Sequence, residues 1–210
     1  MPKISFVYFD VGGVMIQDFS DSPKWDQMMV DMGLDKFDRI KIDAIYDRLE
    51  DGVAIGKRHI DTLISIYEKE FGVVFEPNFS MQKYFVDHFD KNVDLWPIVA
   101  DIHKTLKVGL LTDMYPGLLD AITVAGLLPP VIWDQIIDST KVGIRKPTPE
   151  IYKIAAKQAG VPEAEILFID NREKNLVPAH ARGWQTFFYD SHDYAQSSRD
   201  LVVYLQPRGL

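Results

Sequence analysis

The chain of 210 residues contains no cysteine. That absence excludes a disulfide framework, a thiol nucleophile and a thiolate metal centre. An excess of positive charge is also missing: 31 acidic against 23 basic side chains leave a net charge of −8, which argues against a nucleic-acid backbone or an anionic membrane as partner. No uninterrupted apolar run approaches the roughly 20 residues that cross a bilayer. The apolar stretch that follows Lys3 carries Asp10 in its middle, so it does not read as a secretory signal, and a cytoplasmic, soluble protein is expected. The histidines His59, His88, His103, His180 and His192 form no i, i+4 pair, so packing or surface roles are expected of them rather than metal ligation. Repeats and low-complexity tracts are absent too. What remains is an ordinary globular composition, 47% apolar and 26% charged, with enough chain for one large domain or a domain carrying an insertion.

Against that plain background, three apolar segments each run straight into a carboxylate: Val7-Tyr8-Phe9-Asp10, Gly109-Leu110-Leu111-Thr112-Asp113 and Leu167-Phe168-Ile169-Asp170. Short apolar runs without alternation read as parallel strands buried on both faces. In open α/β sheets the ligand crevice lies beyond the carboxyl ends of such strands, so the acids are expected to converge. Crowded carboxylates repel one another and drift toward protonation unless a cation compensates, and a hard divalent ion with oxygen ligands is the natural compensation. Taken singly these residues have plainer readings. Asp10 alone is a strand-ending turn residue, Thr112 or Asp113 a helix cap before Pro116, and Lys146 a solvated loop lysine.

Between the first strand and the second, roughly residues 22–89 follow helical spacing throughout. Trp25, Met28, Met29 and Met32 form one stripe, Ile42, Ile45, Tyr46 and Leu49 a second. Ile60, Leu63, Ile64, Tyr67 and Phe71 form a third, and Met81, Tyr84, Phe85 and Phe89 a fourth. Gly33, Gly52, Gly56, Gly72 and Pro77 punctuate the segment. Four amphipathic helices of this kind bury their stripes on one another, and the segment is expected to be an inserted cap. After Pro97, helix and strand alternate to the end, which implies right-handed βαβ crossovers and a Rossmann-like parallel sheet covered by helices. The expected core is therefore 1–17 and 94–210, with the four-helix cap at 18–93. Pro178 falls inside an expected helix at 172–182, where it should kink the backbone.

Gly12-Gly13 follow Asp10 and let the backbone turn sharply, bringing N–H groups and a carbonyl close to a ligand. Further on, Gly143-Ile144-Arg145-Lys146-Pro147 leads into a helix, and Asp170-Asn171 closes the last apolar strand. A strand ending in Asp, a strand ending in Thr, a Gly-x-x-Lys-Pro loop and a strand ending in an acidic motif, in that order, resemble the four motifs of the haloacid dehalogenase-like hydrolases. The resemblance covers essentially the whole chain and, with a helical insertion after the first motif, its phosphatase-like branch with a helical (C1-type) cap. It implies that Asp10 is a nucleophile that takes up a phosphoryl group, and that Thr112 and Lys146 hold phosphoryl oxygens alongside Gly12, Gly13 and Asp113. It further implies that Asp10, the Gly12 carbonyl, Asp170 and Asn171 hold Mg²⁺. The expected partner is a small phosphorylated substrate, and the chain a monomer or homodimer. The chemistry agrees: a carboxylate attacks a phosphate dianion only when a metal ion and a lysine offset the repulsion.

Two positions depart from the pattern. Phosphatases of this family commonly carry a second Asp two residues after the nucleophile, as general acid and base, and here that position is Gly12. The second acid of the last motif is Asn171, whose uncharged amide binds Mg²⁺ more weakly. General acid–base help contributes about 10²–10⁴ in rate. Its loss narrows the expectation to a slow enzyme or to substrates with good leaving groups, such as sugar 1-phosphates. The rival reading is a silent member that binds a phosphorylated ligand or a protein partner. A 2-haloacid dehalogenase fits Gly12 and Asp170 less well, and a receiver-type signalling domain does not explain the long insertion. Asp18, Phe19, Asp21 and Trp25, on the link into the cap, are the candidates for substrate contact or hinge.

Overall fold

The computed structural model describes residues 3–206, so residues 1–2 and 207–210 of the expected core lie outside it. Strand β1 (Phe6–Phe9) is followed by a tight loop and a two-residue strand β2 (Ile16–Gln17). Four helices come next: α1 (Lys24–Asp31), α2 (Arg39–Ala54), α3 (Thr62–Phe71) and α4 (Met81–Asp87). The chain returns through β3 (Asp90–Lys91) to α5 (Trp96–His103), β4 (Lys107–Thr112) and α6 (Leu118–Val124). The remainder is β5 (Gln135–Asp138), α7 (Ser139–Val142), α8 (Pro149–Ala159), β6 (Ile166–Asp170), α9 (Glu173–Ala181), β7 (Gln185–Phe188) and α10 (Tyr194–Leu205). Among the described residues no helix is long and apolar enough to cross a membrane.

The expected α/β class is what the chain adopts: a five-stranded sheet, order β5-β4-β1-β6-β7, with every pair parallel. Its central strands β1, β4 and β6 are buried without alternation because helices cover both faces. Val7, Phe9, Leu110 and Ile169 face one side, against Val99, Ile122 and Leu201 of α5, α6 and α10. Phe6, Tyr8, Leu111 and Phe168 face the other, against Ile151, Tyr152 and Ala179 of α8 and α9. Gly109 belongs to this packing. A Cβ there would lie 2.8 Å from the Tyr8 ring and 3.0 Å from the Phe6 ring, so only glycine lets the two aromatics pass.

Register decides where the acids go. Phe9 pairs with Leu110 on one side and Ile169 on the other. The next residue, Asp10, donates its N–H to the Ile169 carbonyl at 2.9 Å. Asp10, Asp113 and Asp170 therefore emerge at one edge of three adjacent strands.

The insertion has its own apolar cluster, built on Met28, Met29, Ile42, Ile45, Leu63, Tyr67 and Phe85. Two particulars differ from the sequence pattern, and a third, Pro178, falls inside a helix as the pattern has it. Gly52 does not end its helix. It lies inside α2, which runs on to Ala54, because burying Val53 and Ala54 completely outweighs the roughly 1 kcal/mol that glycine costs in a helix. Pro178 sits inside α9. The carbonyl it leaves without a partner belongs to Lys174, an exposed residue, where water can satisfy it. Finally, the insertion leaves and rejoins the core through an antiparallel ribbon, Ile16 against Lys91 and Gln17 against Asp90, too short to leave a periodic trace. Buried Asn92 locks its return, donating to the Val14 carbonyl at 2.6 Å and the Tyr189 hydroxyl at 2.8 Å.

Candidate active site

Beyond the carboxyl ends of β1, β4 and β6 lies a cavity of about 630 Å³ that the core and the helical insertion line together. Its floor consists of Asp10, Gly12, Asp113, Lys146 and Asn171. Its roof includes Trp25, Tyr46, Glu50 and Phe85.

The centre of the floor is Lys146. A loop lysine is ordinarily solvated, yet this one is 2% exposed. Its Nζ lies 2.6 Å from Asp170 Oδ2 and 3.0 Å from Asp10 Oδ1, above the Phe168 ring. Its backbone N–H donates to Asp113 Oδ1 at 3.0 Å. Burial alone would favour neutral lysine, but Asp10, Asp170 and Asp113 outweigh it and hold the ammonium above the ordinary lysine range. The same crowding acts on the acids. Burial pushes the Asp10 carboxyl up, to about 7; Lys146 opposes this, and Asp170 and Asp113 add to it. Asp113 is also raised by burial, against the pull of Lys146.

Asp10 Oδ1 accepts the Val11 N–H at 2.7 Å besides facing Lys146. No described donor reaches its Oδ2. Asn171 donates through Nδ2 to Ser191 Oγ at 3.2 Å, which leaves its Oδ1 as an open acceptor. Asn171 packs directly on Gly13, whose φ of +72° and lack of a side chain both suit the turn. Asp170 is placed differently. Both its oxygens are engaged, by Lys146, by Asn175 Nδ2 at 3.1 and 3.0 Å, and by the Arg172 N–H at 2.8 Å. It sits completely buried behind the cavity. Gly13 gives its N–H to the Ile16 carbonyl at 3.0 Å and does not line the cavity. Neither does Thr112, a fully buried residue whose hydroxyl has no hydrogen-bond partner among the described residues.

Among the described residues, no three His, Cys, Asp or Glu side chains gather with the spacing of a metal site. The open donors, Asp10 Oδ2 and Asn171 Oδ1, are both oxygens beside a cluster in which three carboxylates share one lysine. That chemistry suits a hard divalent cation that keeps several waters.

The sequence profile of the haloacid dehalogenase-like hydrolases matches residues 4–181. The chain belongs to this family. As a haloacid dehalogenase-like hydrolase it shares its fold with a family enzyme of Bacteroides thetaiotaomicron at a TM-score of 0.75 and 17% identity, over 91% of this chain and 96% of that one. That enzyme has also been solved with magnesium and inorganic phosphate. A predicted hydrolase of the family from Porphyromonas gingivalis aligns at a TM-score of 0.71 and 18% identity, over 95% and 98% of the two chains. The L-2-haloacid dehalogenase of Xanthobacter autotrophicus, with chloropropionic acid covalently bound, aligns at 0.61 and 18%, over 87% and 76%. The family's architecture thus carries both phosphate-binding and dehalogenating members, and the chemistry of this hydrolase has to be argued from its own floor.

Several residues at that floor carry no spacing signal. Asn175, which clamps Asp170, is one. Arg145 is another: it reaches Glu50 at 2.8 Å, Asp51 at 2.9 Å and Asp113 at 3.6 Å, joining roof to floor. Tyr46 of the roof and Tyr115 of the core share a hydroxyl hydrogen bond. Of the link residues, Asp18, Phe19 and Trp25 line the cavity. Asp21 instead accepts the Ser191 hydroxyl at 2.5 Å.

Proposed function

We propose that this hydrolase is a Mg²⁺-dependent phosphatase that acts on a small phosphorylated metabolite through a phosphoenzyme on Asp10. The observation that carries the reading is the state of Asp10: one oxygen is fixed by the Val11 N–H and Lys146, and the other is unclaimed and faces a roofed cavity. A buried ammonium 3.0 Å away offsets the repulsion between carboxylate and phosphate dianion, which is the chief obstacle to the attack. Asp10 and Asn171 would hold Mg²⁺, with Asp170 anchored behind them through Lys146 and Asn175. When bound, the ion neutralises charge on the phosphoryl oxygens.

Asp10 attacks phosphorus, the ester oxygen leaves, and water then hydrolyses the aspartyl phosphate. Throughout, Lys146 keeps its charge, because the surrounding carboxylates hold its proton. The insertion serves as a cap that excludes bulk water from the first transfer. Gly12 also supports a second reading, a silent member that binds a phosphorylated ligand.

Phosphate release from a panel of small phosphomonoesters and para-nitrophenyl phosphate, with and without Mg²⁺, tests the proposal. Metal-dependent release that is abolished in Asp10→Asn is expected. Halide release from 2-chloropropionate without phosphate release would move the enzyme to the dehalogenase branch, and no release of either kind would favour the silent reading.

A further inference from the structure

Gly12 removes a side chain from the position where a group could serve the leaving oxygen. The space is not empty. Asp18 Oδ2 lies within the volume that a Cβ on Gly12 would occupy, and its Cγ is 3.3 Å from that point. A backbone bridge sets Gly12 beside Ile16, and the ribbon of β2 with β3 fixes Ile16 and Gln17. Lys24 Nζ ties that ribbon down, 2.8 Å from both the Gln17 carbonyl and Asp90 Oδ2. The next residue, Asp18, is thereby turned back over Gly12 and into the cavity. Its Oδ1 accepts the Ser20 N–H at 2.9 Å. The Ser20 side chain also hydrogen-bonds the carboxylate, and Oδ2 is the oxygen that reaches toward Gly12.

We infer that Asp18 is a catalytic residue that supplies, from six positions further along the chain, the proton-transfer group that Gly12 cannot carry. The inference rests on the phosphatase reading above. In the first transfer, an Asp10 oxygen bonds to phosphorus and the bond from phosphorus to the ester oxygen breaks. The electron pair goes to that oxygen, which takes the proton of the Asp18 carboxyl and departs as the alcohol. In the second transfer, water bonds to phosphorus and gives its proton to the Asp18 carboxylate. The bond from phosphorus to Asp10 breaks, and phosphate and the Asp10 carboxylate are released. Glycine at position 12 is then a requirement, since any side chain there would displace the Asp18 carboxylate.

The test compares leaving groups. Nitrophenolate departs without a proton, whereas an alkoxide does not. In Asp18→Asn, kcat/KM for the best alkyl phosphomonoester of the panel should fall about 10²-fold, with a loss on para-nitrophenyl phosphate at least tenfold smaller. Phosphoenzyme should accumulate on the nitrophenyl ester because the attacking water lacks its base. The double variant Gly12→Asp/Asp18→Ala should recover part of the alkyl-ester activity. If Asp18→Asn folds poorly, Asp18→Ser keeps an acceptor for the Ser20 N–H and gives the same ratio. Equal losses on the two esters, or no loss on either, would overturn the role of Asp18 while leaving the Asp10 mechanism intact. Failure of the wild-type enzyme to release phosphate from any ester would remove both, and would be evident before any variant is made.

Discussion

The floor and the roof of the cavity are made of opposite materials. In and behind the floor, Lys146, Asp10, Asp113 and Asp170 are ionisable groups crowded together and wholly or largely buried, each held by specific partners a few ångströms away. The roof is an apolar bundle that sends aromatic rings and a few polar tips, such as Trp25, Tyr46 and Glu50, into the same space. Charges buried at such density destabilise a fold unless each is paired. An apolar bundle stabilises in proportion to the area it buries. The floor therefore carries its charges at a cost in stability, and the roof provides stability and shape. Substitutions on the two sides should therefore separate turnover from folding.

The largest effect is expected at Lys146. Lys146→Met leaves Asp170 and Asp10 buried without their cation, so urea denaturation should report a loss of about 3–5 kcal/mol. Turnover should fall by at least about 10²-fold. Adding Asp170→Asn should return part of the stability and none of the activity.

Next comes the roof interior. Met28 is fully buried in the bundle and does not touch the cavity. Met28→Ala should cost about 2–5 kcal/mol, while kcat of the folded fraction stays within roughly threefold of wild type. A loss of kcat as large as that in Lys146→Met would break the comparison.

Asp10 should show the inverse pattern. Its folded-state carboxyl is raised above the ordinary value of 3.8, to about 7, so the folded protein holds a proton that the unfolded chain gives up. The ionised form thus costs stability above neutral pH, and the cost fades as pH falls from about 7 toward 3.8, below which both states are protonated. Asp10→Asn should abolish turnover with Mg²⁺ and, in metal-free protein, raise stability at pH 8 by about 1 kcal/mol or more, with the gain fading by pH 4. Thermal melts across that pH range measure it.

The smallest effect belongs to the bridge between the two regions. Arg145 and Glu50 are both partly exposed, so Arg145→Gln should cost no more than about 1 kcal/mol. Steady-state kinetics should show KM rising severalfold as the roof loosens over the floor.

The same contrast governs what was legible in the sequence. The acids of the floor were visible because they stand at strand ends, where a break from apolar to acidic shows within five residues, and register then brings the ends together; Lys146, on a loop, stood out only through its place in the Gly-x-x-Lys-Pro motif. The helices of the roof were legible through their stripes, but its contribution to the site was not. Glu50, Tyr46 and Arg145 are common surface types, and only tertiary packing selects them. Gly52 read as a break because local propensity was weighed without the burial of Val53 and Ala54. The ribbon of β2 with β3 was too short for periodicity, and with it the turn of Asp18 over Gly12 stayed hidden. Gly12 showed that something was missing, and only the fold could show what stood in the gap.

The central claim is that Asp10 is the nucleophile of a phosphoryl transfer. Rapid acid quenching of the enzyme during turnover of a phosphorus-labelled substrate with Mg²⁺, followed by peptide mapping, tests it most directly. A hydroxylamine-sensitive label is expected on the peptide that carries Asp10, formed fast enough to support turnover and absent in Asp10→Asn. Turnover without such a label, or a label that persists in Asp10→Asn, would contradict it.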